Sequence, residues 1–79
     1  MPYVKADVRE ELKTRPPRTS GELNYMITMQ VKAFLATDKE SYCMYNSAIG
    51  ALECAKQELY RRMAAAYEDR KIAEHGDVY

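Results

Sequence analysis

Residues 42–75, "YCMYNSAIGALECAKQELYRRMAAAYEDRKIAEH", contain no proline, and their apolar residues recur at helical period. Tyr45, Ala48, Ile49, Leu52, Ala55, Leu59, Met63 and Ala66 fall on one face, while Lys56, Glu58, Arg61 and Arg62 fall largely elsewhere. His75-Gly76 reads as the end of this helix, with Gly76 supplying the left-handed residue after the cap. Gly50, inside the helix, costs about 1 kcal/mol relative to alanine. That cost predicts a close approach of another helix at Gly50. A helix this long dominates a chain of 79 residues and leaves little sequence to cover it.

The preceding sequence supplies two shorter elements. In "YVKADVREELKTR", Val4, Val8 and Leu12 form one narrow helical stripe, which "RPPR" stops because Pro16 and Pro17 cannot continue a helix. Thr19 lies three residues before Glu22, a capping-box spacing that opens the next helix. There Leu23, Met26, Ile27, Val31, Phe34 and Leu35 form an apolar face running to about Ala36. "TDKES" is a polar connector in which Asp38 or Ser41 can cap the long helix. No strand alternation and no internal repeat occur. The expected fold is all-α and a single domain over residues 1–79: a short N-terminal helix followed by an antiparallel pair of longer ones. One helical pair cannot cover both of its faces, and a domain this small buries only about 60% of its unfolded surface. An oligomeric helical bundle is the expected remedy.

Charge and cysteine usage narrow the chemistry. Lys plus Arg and Asp plus Glu number twelve each, so the formal net charge is zero. The interspersed charges lack the basic excess of a general nucleic-acid binder. Cys43 and Cys54 lie on one predicted helix, about 16 Å apart by its rise, beyond the reach of a disulfide. They are expected as free thiols. With His75 the only histidine, no zinc-ligand spacing exists and no metal or cofactor is expected. No apolar run approaches a membrane span, and "MPYVKADVREEL" lacks an apolar signal core. A soluble, cytoplasmic, thiol-reduced protein is the expectation.

Catalysis finds little support. His75 and Asp77 lie near the tail, neither cysteine has a histidine at motif spacing, and no Gly-rich phosphate loop occurs. Glu53 and Glu58 point to different helix sides. Two features admit a binding role. Arg61 and Arg62 are adjacent, with Glu58 one turn before them: a solvated, salt-laced helix face, or a face where one guanidinium escapes its partner to hold an anion. Seven tyrosines, with one phenylalanine and no tryptophan, suit either packing and oligomer contacts or the stacking of a ring-bearing ligand.

"MPYVK", "GELNYMIT", "GALECAKQELYRR" and "YEDRKIAEHGDVY" together resemble a family of short, uncharacterised proteins encoded by phages and prophages. The resemblance spans nearly the whole chain. Ala66 stands where a proline often precedes the tyrosine in that family, which removes a kink and predicts a straighter last helix. "HGDVY" replaces a closing "NGDVY", so His75 departs from the pattern. The resemblance implies a phage origin, hence the cytoplasm of an infected bacterial host, and no defined activity. By analogy with small oligomeric phage proteins that trap nucleotide second messengers, the expected function is a non-catalytic sponge. Its candidate ligand-binding residues are Tyr3, Tyr25, Tyr60 and Tyr67 as rings, Arg61 and Arg62 as cations, and Asn24 as an amide. The expected partners are further copies of the chain and a small nucleotide-derived ligand. The alternative is an interaction module that docks a helical face onto a host or phage protein, and a DNA-associated accessory protein stands third.

Overall fold

The computed structural model describes all 79 residues. The fold is all-α, as the periodicity predicts: α1 (Ala6–Glu11), α2 (Ser20–Leu35), α3 (Tyr42–Leu59), a π-turn (Tyr60–Ala64) and α4 (Ala65–His75). Contacts divide the chain into two compact units, Met1–Met44 and Tyr45–Tyr79.

The first unit is organised at the turn between α1 and α2. α1 stops before the prolines, and the amides of Lys13 and Thr14 close it by donating to Glu10 and Glu11 carbonyls. Thr19 then caps α2, its hydroxyl accepting from the Glu22 amide at 3.1 Å. Glu22 does not complete the usual capping box. Its carboxylate instead accepts the Arg18 amide at 3.0 Å and both terminal nitrogens of Arg15, at 2.8 and 3.3 Å. Arg15 also reaches Glu11 at 3.0 Å. Both side chains of the Arg15–Glu22 pair are largely shielded from solvent, so the bidentate bond works in a setting where it is stronger than an exposed ion pair. The Arg15 hydrogen bond foremost, then the Arg18 amide, holds the Glu22 carboxyl below its ordinary value. Leu12, at the end of α1, is 3% exposed and lies beside Tyr25, Met26 and Met29 of α2.

The second unit is one continuous helical rod with a short tail. Of the two candidate caps in the connector, Ser41 caps α3, its hydroxyl accepting from the Met44 amide at 3.1 Å. The Asp38 carboxylate instead accepts the neighbouring Lys39 amide. The long helix is not uniform. At Tyr60–Ala64 it loosens into a π-turn, in which the Ala65 amide donates to the Tyr60 carbonyl five residues back. The π-turn ends two residues before Ala66, the position from which a straighter last helix is expected. Gly76 ends α4 with φ 90° and ψ 150°. The positive φ is what the sequence predicts, whereas ψ lies outside the left-handed helical well. Gly50 has open space around its missing Cβ, so no close helix approach within the chain explains it.

Across both units only Leu12 and Ala48 are buried. Cys43 and Cys54 are free thiols on the surface of α3. No helix is long and apolar enough to cross a membrane.

Candidate functional site

A concave surface lies in the first unit. The segment before α1 carries Tyr3 and Lys5, and it is fixed by the Val4 amide donating to the Pro2 carbonyl at 3.1 Å. Arg9, one turn into α1, reaches back and donates to the Val4 carbonyl at 3.1 Å. α2 supplies the opposite wall. Tyr25, Thr28, Met29 and Lys32 stand at i, i+3, i+4 and i+7, the spacing that places residues on one helix face. Together these residues enclose a groove of about 700 Å³, within the range of small-molecule sites.

Its charge distinguishes it from the rest of the molecule. Lys5, Arg9 and Lys32 line the groove, and no Asp or Glu does. Lys13, Arg15, Lys56, Arg61, Arg62 and Lys71 are tied to carboxylates, but none of these three forms an ion pair. In a chain of zero net charge, this is a local concentration of three positive charges beside two phenol rings. Tyr3 is 84% exposed and Tyr25 half-buried, so one ring stands at the rim and the other in the wall.

Of the residues singled out from the sequence, the groove brings together Tyr3 and Tyr25. Asn24 adjoins Tyr25 in α2 but is exposed and does not line the groove; its carbonyl accepts from the Thr28 hydroxyl at 2.8 Å. Arg61 and Arg62 lie in the π-turn of the second unit and converge on a single carboxylate. Arg61 approaches Glu58 at 3.1 Å and Arg62 at 3.0 Å, and all three side chains are more than half exposed. This is the salt-laced face that the sequence offered as one alternative. Tyr60 donates its hydroxyl to the Glu68 carboxylate at 2.8 Å, and that bond raises its pKa above the ordinary phenol value. The Tyr67 ring receives Lys71 at 5.3 Å and Arg70 at 5.6 Å, within cation–π range. It borders a smaller cleft of about 330 Å³ that includes His75 and Tyr79.

Sequence reasoning missed Lys5, Arg9, Thr28, Met29 and Lys32. The signal was present in the seven-residue step from Tyr25 to Lys32 and the four-residue step from Lys5 to Arg9. What could not be read was that these two short runs face each other. The carboxylates that sequence spacing raised as a possible pair are otherwise engaged. Glu53 is held by Gln57 and Lys56, which lower its pKa, and Glu58 by the two arginines. No group of three or more His, Cys, Asp or Glu residues is arranged to hold a metal ion.

The fold and this groove define a small all-helical chain with a tyrosine- and cation-lined surface site. The chain belongs to DUF6899, a family described as a domain of unknown function, whose profile it matches over residues 1–78. No curated protein and no solved structure matches it.

Proposed function

We propose that the chain is a non-catalytic binding protein that captures a small, ring-bearing, multiply anionic ligand of nucleotide type in the groove between the Tyr3–Arg9 segment and α2. The carrying observation is the composition of that groove: three cations without ion-pair partners, two tyrosines and no carboxylate. Guanidinium and ammonium groups match phosphate oxygens, and a phenol ring offers a stacking surface to a base. Arg9 is suited to the anchoring role, because its bond to the Val4 carbonyl holds the guanidinium at the groove. The resemblance to short phage and prophage proteins supports a setting in the cytoplasm of an infected bacterium, where sequestering a nucleotide signal requires affinity and no turnover.

The test is calorimetry and thermal shift against cyclic dinucleotides, cyclic ADP-ribose isomers and linear ADP-ribose conjugates. At least one stabilises the wild-type protein. A charge-assisted bond contributes about 1.5–3 kcal/mol, so Arg9→Ala and Lys32→Ala each weaken capture by about ten- to a hundredfold. Arg61→Ala, which sits outside the groove, leaves it unchanged. If no member of the panel shifts the melting temperature, the sponge reading yields to the second one: a module that docks a helical face onto a host or phage protein. The exposure of Leu23, Ile27 and Phe34 along α2 favours that alternative.

A further inference from the structure

A second hollow opens in the first unit beside the groove. It measures about 390 Å³ and is lined by Arg9, Leu12 and Lys13 on one side and by Tyr25, Met26 and Met29 of α2 on the other. Arg9, Tyr25 and Met29 also line the groove, so the two hollows adjoin along these three side chains. All of these residues lie within Met1–Met44. From groove to hollow, both walls step toward the Arg15–Glu22 turn: Lys5 gives way to Lys13, and Lys32 to Met26.

The two hollows differ in chemistry. The groove carries Lys5, Arg9 and Lys32, none of them in an ion pair. In the second hollow Lys13 is bound to Glu10 at 3.0 Å, which leaves the shared Arg9 as its one cation free of a carboxylate. The remaining surface comes from Leu12, two thioethers and the Tyr25 ring. Thioethers make favourable contacts with aromatic rings, whereas a phosphate set among them is desolvated without compensation. This hollow therefore suits a flat, uncharged ring. Arg9 stands at the junction. One of its terminal nitrogens donates to the Val4 carbonyl at 3.1 Å, and its other N–H groups are left to reach an anion.

We infer that the hollow is a second ring subsite and that the groove's ligand is a two-base nucleotide. Its phosphate bridge lies at Arg9, one base sits beside Tyr3 and Tyr25, and the other packs against Leu12, Met26 and Met29. This assignment rests on nucleotide capture by the groove and narrows the class captured. A ligand with one base fills the groove alone and forgoes the contacts of the second ring.

Calorimetry on the full chain tests this with three probes in both the adenine and guanine series: the nucleoside diphosphate, the pyrophosphate-bridged dinucleoside and the cyclic dinucleotide. The diphosphate carries the most negative charge of the three, because its terminal phosphate is not esterified, so charge alone favours it. One of the two-base probes nevertheless binds about tenfold more tightly or better, and which one does so reports whether the bridge is open or closed into a ring. Met26→Ala reduces that preference by about fivefold or more and leaves diphosphate binding unchanged, which serves as the control for folding. Lys13→Ala, at a mostly exposed side chain, repeats the comparison from the opposite wall should Met26→Ala unfold. A diphosphate that binds as tightly as both two-base probes overturns the second subsite and leaves nucleotide capture standing. So does a folded variant that loses both classes in equal proportion. If no nucleotide binds the wild type, capture itself fails and the second subsite falls with it.

Discussion

The two units stabilise themselves by different means. The first, Met1–Met44, closes on itself through one buried leucine and one hydrogen-bonded turn, in which Arg15, Arg18 and Thr19 all engage Glu22. The second, Tyr45–Tyr79, holds its shape by backbone hydrogen bonds and surface ion pairs; its large apolar side chains are exposed and Ala48 is its one buried residue. Exposed ion pairs between neighbouring helical turns contribute a few tenths of a kcal/mol each. The first unit thus draws on a buried side chain and a shielded ion pair, and the second on its helical backbone.

The largest effects separate these two modes by the burial of the side chain removed. Leu12→Ala removes the most buried large side chain of the first unit and costs about 2–5 kcal/mol. Leu59→Ala removes a side chain that is mostly exposed and costs about 0.5 kcal/mol or less. Urea denaturation measures both. If Leu59→Ala cost as much as Leu12→Ala, that leucine would be covered in the folded protein and the contrast between the units would fail.

How much of this was legible beforehand follows the same division. Local rules act over three or four residues, so the helix starts at Thr19 and Ser41, the stop before Pro16 and the positive φ of Gly76 were all written in adjacent side chains. The π-turn was not. Nothing in "YRRMA" is a helix breaker, and the extra residue is visible only as a changed alignment downstream, Tyr60 meeting Glu68 in place of Tyr67. The groove was half legible. Tyr3 and Tyr25 stood out as rings, but its cations did not, since Lys5, Arg9 and Lys32 look like ordinary surface charges until the turn at Arg15–Glu22 folds one run against the other. The arginine pair drew notice because its charges are adjacent, yet adjacency is what lets one glutamate hold both.

A smaller effect, confined to the first unit, comes with acid. The folded-state pKa of Glu22 lies below its ordinary value of 4.5 because Arg15, and then the Arg18 amide, hydrogen-bond the ionised form. A depressed carboxylate stabilises the fold above its unfolded pKa, and that contribution is lost as pH falls through the folded value. The melting temperature of the first unit therefore falls as pH is lowered from neutral into the acid range. Glu22→Gln starts lower at neutral pH and falls less. Nuclear magnetic resonance of the Tyr25 ring, set against a tyrosine of the second unit, reports the loss by region. A simultaneous acid transition in both units would show that the Arg15–Glu22 turn is not a feature of the first unit alone.

The smallest expected effect tests the alignment across the π-turn. Tyr60 donates to Glu68 across the π-turn, and the carboxylate raises the pKa of that phenol above 10.0. A raised pKa means that the stabilisation is complete below the unfolded value and disappears as pH rises through the folded one. The bond is exposed to solvent, so Tyr60→Phe changes overall stability only slightly and denaturation is the wrong instrument. Phenolate absorbance is better suited. Tyr60→Phe removes from the alkaline titration a phenol whose pKa is raised, and Glu68→Gln lowers the pKa of that phenol. If Glu68→Gln leaves the alkaline titration unchanged, residues eight apart do not meet across Tyr60–Ala64. Leu59 and Tyr67 would then lie on different faces of the helix.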